Sequence, residues 1–357
     1  MQSPKIGRIF GIDIELHWLS VLFLLLFLFV SVYLFFLMLL LLASVLLHEL
    51  AHSITSIRNK VKVSKIILIL PIGGLSVLDS ININPKIEFN IAIAGPIMSI
   101  LLGAFFGIFV PFMPPGLPTQ VFQFMFEINI LLGVLNLLPA FPTDGGRVFR
   151  SYLERKYDWY KSTMLTVKLS KGIMYAIVIG TLAYVLVISG SFYYKETLFI
   201  ITLFTVFILY GGAQAEQQNA ILKKNARGIT VAAAISNDFA TINPKASIQQ
   251  IYSTIKKKKK HMLITRTNGS YAFVNILDRR RLSTASTAAD LAIPLPSIPK
   301  NMNIVDAMST LENKEAGLAA VVSNNKLVGV VTTQHLEAFI ALHIAQKSKQ
   351  NKRKQQF

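Results

Sequence analysis

Residues 44–56 read SVLLHELAHSITS, and they close a run from Leu16 to Ile57 in which Glu49 is the only Asp, Glu, Lys or Arg. Positions i and i+4 of a helix share a face, so the imidazoles of His48 and His52 can bind one metal ion. The glutamate between them stands where it can take a proton from water. Chance alone gives about 0.003 His-Glu-x-x-His matches in a chain of this composition. Three ionisable groups in an apolar helix cost several kcal/mol unless they hold a ligand or do chemistry. The stretch therefore reads as a metal centre inside a membrane helix, rather than as a pair of core histidines beside a glutamate.

The Leu16–Ile57 run is too long for one crossing. As a single helix it would reach roughly 63 Å at about 1.5 Å per residue, twice the hydrocarbon thickness of a bilayer. It reads as two helices turning near Ser31–Tyr33, and it is too long for a cleaved signal peptide. Further apolar spans run from Phe89 to Val110, Val121 to Leu138, Gly172 to Ser189 and Leu198 to Gly212, giving six. The 357 residues are 53% hydrophobic and only 15% charged, which excludes a disordered chain. Absence of Cys excludes a disulfide scaffold, thiolate-bound zinc, iron–sulfur clusters and thiol nucleophiles.

Charge orients the spans. Lys5 and Arg8 precede the first, five Lys/Arg from Arg58 to Lys86 separate the second and third, and seven from Arg147 to Lys171 separate the fourth and fifth. Lys223, Lys224 and Arg227 follow the sixth, whereas the opposite turns hold only Lys195. The positive-inside rule then puts both termini in the cytoplasm of a multi-pass cell-membrane protein. Net charge is +18, concentrated after residue 213. Beside membrane spans such a tail faces anionic lipid, and no aromatic pattern accompanies the lysines at 256–260, so no nucleic-acid partner is expected.

Between the second and third spans, Val61–Asp79 reads as two short strands around a Pro-Ile-Gly-Gly break, a β-hairpin buried against protein or bilayer. Glu127 is intramembrane by position and reads as an interfacial or paired residue. Two His leave room for a third protein ligand, and Asp144 in Asn136–Arg147 (NLLPAFPTDGGR) is the best candidate on depth. An Asp-Gly-Gly turn at a helix end is also a common structural device. Pro139 and Pro142 should break the helix, and Gly145 and Gly146 should permit tight turns. After Gly212, two rounds of polar lead-in, helix, strand hairpin and closing helix suggest a repeat of about 60 residues.

HELAH on the second span, AGPIMS (Ala94–Ser99) on the third and NLLPAFPTDGGR on the fourth resemble the site-2 protease family of intramembrane zinc metalloproteases. KIGRIFGIDIELHW near the amino terminus resembles the start of its smaller members. The resemblance implies one Zn2+ held by His48, His52 and Asp144, Glu49 as general base, and Asn136 near the substrate, a transmembrane protein. The family often carries Asn where this chain has Ser99. The carboxy-terminal repeat resembles a pair of cystathionine-β-synthase (CBS) domains, best at Leu327–Leu336. Nucleotide-binding copies often place Asp after the Thr corresponding to Thr332, where this chain has His335. An adenine nucleotide site and a ligand-free packing or homodimerisation module both remain open.

The expected architecture is a multi-pass α-helical membrane protein with six transmembrane helices and a β-hairpin between the second and third, followed by a soluble α/β CBS-domain pair. Residues 1–213 form the membrane metalloprotease domain, 214–228 a linker, 229–287 and 288–345 the two CBS domains, and 346–357 a basic tail. The rival reading, a transporter or channel gated by CBS domains, leaves HELAH and Asp144 without a reason.

Overall fold

The computed structural model describes residues 4–70, 73–78, 83–187, 192–260, 262–267, 269–277, 282–283, 285–312 and 317–354. It divides into two compact units, Met1–Ile221 and Leu222–Phe357.

The first unit begins with strands that the sequence reading did not anticipate, β1 (Lys5–Ile9) and β2 (Ile12–Leu16). Phe10 and Gly11 between them both adopt positive φ, the conformation that a tight two-residue hairpin demands. β3 (Val63–Ile69) and β4 (Gly73–Leu78) form the expected hairpin, with its turn at Pro71 and Ile72 outside the described residues. The sheet order is β1-β2-β3-β4, with β2 and β3 parallel and the other pairs antiparallel. Alternation sends Ile12, Ile14, Ile66 and Leu68 to one face, where they are buried against Val45 and Leu50. Val45 precedes the His-Glu-x-x-His motif on its helix and Leu50 lies within it, so the sheet packs directly against the motif.

Helix α1 (Trp18–Val30) ends at Ser31, whose φ of −165° and ψ of 130° are extended, and α2 (Val32–Arg58) starts immediately after it. The break thus falls where the length argument required it. Helices α3 (Pro85–Phe109), α4 (Leu117–Asn136), α5 (Asp144–Leu153), α6 (Trp159–Val187) and α7 (Phe192–Ala226) follow. Among the described residues five helices, α2, α3, α4, α6 and α7, are long and apolar enough to cross a membrane. The expected count of six transmembrane helices is not confirmed, because the first apolar helix is short. With Leu16 drawn into β2 and His17 capping the helix, α1 keeps 13 residues, about 20 Å against a hydrocarbon core of about 30 Å.

Helices α3 and α4 approach closely through glycine. A Cβ at Gly103 would lie 2.9 Å from the Ile130 side chain, and one at Gly133 would lie 3.1 Å from the Pro96 carbonyl. Small residues serve this purpose where lipid supplies no hydrophobic force between helices. Glu127 lies on the exposed side of α4, where its Oε1 accepts from Gln123 Nε2 at 2.9 Å.

In the second unit, β5 (Phe239–Thr241), α8 (Ile248–Lys258), β6 (Met262–Thr267) and β7 (Ser270–Val274) form one round of the expected repeat. The other comprises β9 (Ser297–Pro299), α9 (Ile304–Glu312), β10 (Leu318–Ser323) and β11 (Lys326–Thr332), closed by α10 (Thr333–Lys354). In each round the first strand is parallel to the second and the second antiparallel to the third. β8 (Ala292–Pro294) pairs with β7. The closing helix of the first round falls partly outside the described residues. Thr332 Oγ1 accepts from His335 N at 3.1 Å, which caps the start of α10. The 214–228 stretch is helical through Ala226 as the end of α7, and the basic tail is helical through Lys354.

Candidate metal centre

Because His48 and His52 are four residues apart on α2, their rings project from one face, and both are buried, at 4% and 6% exposure. Their Nε2 atoms lie 3.1 Å apart. Asp144, the first residue of α5, brings Oδ2 to 3.1 Å from each of them. Three donor atoms from residues up to 96 positions apart therefore converge on one point. His52 Nδ1 must donate to the Ile91 carbonyl 2.6 Å away, because a carbonyl only accepts, which leaves a lone pair on Nε2. His48 Nδ1 is engaged by Ser99 Oγ at 2.9 Å. Both rings are thus held through the nitrogen facing away from the centre, an arrangement typical of metal-ligating imidazoles. Two imidazoles and a carboxylate fit zinc with a position left open.

The loop between α4 and α5 delivers Asp144. Thr143 Oγ1 donates to the Leu138 and Ala140 carbonyls, each at 2.7 Å, and Phe141 N donates to Ser170 Oγ at 2.8 Å. Gly145 and Gly146 are required for a reason other than the expected turns. They sit in the first turn of α5, where a Cβ at Gly145 would overlap the Leu137 and Leu138 carbonyls and one at Gly146 would lie 2.7 Å from Phe141 N. The backbone of α5 thus packs directly on its own lead-in loop.

A cavity of about 390 Å3 opens on these donors and is lined by Glu49, Gly74, Asn136, Arg147 and Leu209 among others. Glu49 is buried, and a Cβ at Gly74 of β4 would overlap its side chain. Asn136 lines the same cavity and donates Nδ2 to the Leu132 carbonyl at 3.0 Å. All five residues singled out from the sequence, His48, Glu49, His52, Asp144 and Asn136, border one space. Sequence reasoning missed three contacts there: Ser99 on His48, the Ile91 carbonyl on His52, and Gly95. A Cβ at Gly95 would collide with both imidazoles. Ser99, noted only as a departure from the family's Asn, in fact fills a positioning role.

The chain matches Peptidase family M50 over residues 36–115 and 115–179, and the CBS domain over residues 288–341. The zinc metalloprotease MJ0392 of Methanocaldococcus jannaschii is 31% identical over 264 residues, covering 72% of this chain and 73% of that protein. The chain belongs to peptidase family M50. Rip3 of Mycobacterium tuberculosis is 26% identical to it over 95% of this chain and 93% of that protein. Among solved structures, a site-2 protease from Methanocaldococcus jannaschii is 33% identical, covering 60% of this chain and 95% of that one, with a TM-score of 0.45. The M50 match spans both HELAH and the Asp144 segment, and the protein is an intramembrane zinc metalloprotease of the site-2 type with a CBS domain.

A charge network that sequence spacing could not disclose secures α5 in the M50 protease. The buried Arg150 guanidinium pairs with Glu88 of α3, lies 3.8 Å from Glu154 Oε1 and 3.7 Å from Glu216 Oε2 of α7, and stacks near the Phe141 and Trp159 rings. Burial, reinforced by the Glu88 charge and only partly opposed by Arg150, pushes the Glu154 carboxyl up from 4.5 to about 7. Between those values the folded protein holds a proton that the unfolded chain releases, so stability falls as pH rises through the window. Glu154→Gln should therefore raise the melting temperature by a few degrees at pH 8 and leave it nearly unchanged at pH 4.5. Equal shifts at both pH values would refute this.

Proposed function

We propose that His48, His52 and Asp144 hold the zinc ion and that Glu49 is the general base in hydrolysis of a peptide bond within a transmembrane protein substrate. The convergence of His48 Nε2, His52 Nε2 and Asp144 Oδ2 at mutual distances of 3.1 Å carries this reading. Zinc held there would supply Lewis acidity, acidifying water and polarising a scissile carbonyl. Glu49 accepts the proton of the attacking water and returns it to the leaving amine. The buried ring contacts of Ser99 and Ile91 keep both imidazoles in the ligating orientation, so little reorganisation is needed on binding. Asn136 contributes a polar contact to substrate in the same cavity.

A helical substrate must unwind before its carbonyls can be attacked. Among the described residues β4 is an edge strand of its sheet and its Gly74 backbone lies against Glu49, so an unwound segment added to β4 as a further strand would bring its peptide bonds beside the base. β3 is internal, paired on both sides, and is not available for this. A proline at position 76 of β4 should lower substrate cleavage at least several-fold while the sheet survives. Unchanged rates would discard strand addition.

The flanking charges support cytoplasmic placement of both termini. The first round of the repeat, residues 229–287, shares its strand pairing with residues 288–345, which supports two CBS domains acting as a regulatory or homodimerisation module, with or without an adenine nucleotide. The zinc reading is tested by cleavage of single-span membrane substrates in detergent. Cleavage should stop on metal chelation and return with added zinc. Cleavage that persists after the metal has been removed would overturn it.

A further inference from the structure

We propose that the groove between α6 and α7 is a binding site for an anionic phospholipid, with Lys171 on the headgroup phosphate and the acyl chain along the apolar wall. The groove encloses about 330 Å3 and is lined by Lys171, Tyr175, Val178 and Ile179 of α6 and by Leu203 and Phe207 of α7, among others. Lys171 stands at its polar end. From Gly172 to Val187 on α6, and from Thr197 to Ala215 on α7, no Asp, Glu, Lys or Arg occurs. Lys171 therefore marks the level where α6 leaves the hydrocarbon, which is where lipid phosphates lie.

The surroundings of the ammonium define the ligand. Lys171 Nζ donates to Gln214 Oε1 and Gln217 Oε1, each at 3.0 Å, and lies 5.5 Å from the Tyr210 ring centroid. These partners are two neutral amides and a ring, and none is a carboxylate. They fix the ammonium in place without cancelling its charge, and a lysine has three N–H groups, so one donor remains for a ligand. A soluble anion would use only this polar end. The rest of the groove is apolar and open, with Phe207 at 74% and Tyr175 at 66% exposure, which suits an acyl chain. The lipid would lie behind α7, whose Ile208 and Leu209 line the metal cavity.

The test is native mass spectrometry of the full-length protein in detergent, titrated with phosphatidylglycerol, phosphatidylcholine or inorganic phosphate. One cation at the headgroup level should favour phosphatidylglycerol over phosphatidylcholine by about fivefold. Lys171→Met should abolish that preference, and Lys171→Arg, which keeps the charge, should retain it. Inorganic phosphate at millimolar concentration should not displace the lipid. Equal binding of both lipids by wild type, an undiminished preference in Lys171→Met, or displacement by phosphate would each overturn the proposal.

Discussion

Glu49→Gln is expected to leave the protein folded and zinc-loaded while lowering cleavage of a membrane substrate by about 10²–10⁴-fold, the usual contribution of a positioned general base. The amide keeps the size and hydrogen-bonding reach of the carboxylate but accepts no proton at neutral pH. Zinc should stay because the three convergent donors, His48, His52 and Asp144, are untouched, as are the Ser99 and Ile91 contacts behind the rings. Measuring metal content beside the cleavage rate separates the two roles. A variant that cuts at the wild-type rate removes Glu49 as the base. A variant that loses its zinc makes Glu49 part of the metal site instead.

Gly95→Ala is expected to cost about 10²-fold in activity, because a misplacement of about 1 Å at a reacting centre has that effect. Gly95 lies in α3, and the Cβ of an alanine there would occupy space held by His52 Nε2 and His48 Nε2. Neither ring can retreat freely, since each is tethered through Nδ1. The rings must rotate or α3 must withdraw, and either change pulls the donors apart. Zinc affinity should fall together with activity, in contrast to Glu49→Gln. Gly172→Ala is a suitable control, because nothing lies within 4 Å of a Cβ at that helical glycine. Wild-type zinc binding and cleavage in Gly95→Ala would show that the close approach has no functional role.

Much of this protein was legible in its sequence because the relevant signals are local. Uninterrupted apolar runs disclosed the long spans, and the extended break at Ser31 fell where the length of the Leu16–Ile57 run required it. The β3–β4 hairpin and the repeated strand order of the second unit were readable from short β-branched runs between turns. The amino-terminal strands were not. β1 and β2 are only five residues each, too short for the alternation of Ile12, Ile14 and Leu16 to stand out beside the long apolar run that follows, yet the pairing of β2 with β3 is what shortened α1.

By itself the sequence determined that the chain enters membranes and that two imidazoles and a glutamate share one helical turn. Those properties follow from composition and from the 3.6-residue period of the helix. Only the tertiary structure decided that Asp144, 96 residues from His48, completes the donor set, that Ser99 and Ile91 orient the rings, and that Gly74 and Gly95 leave room for them. It also decided that Arg150 ties α5 to α3 and α7. Such contacts join segments far apart in the chain, and their partners are selected by shape and charge in three dimensions, which no local periodicity records.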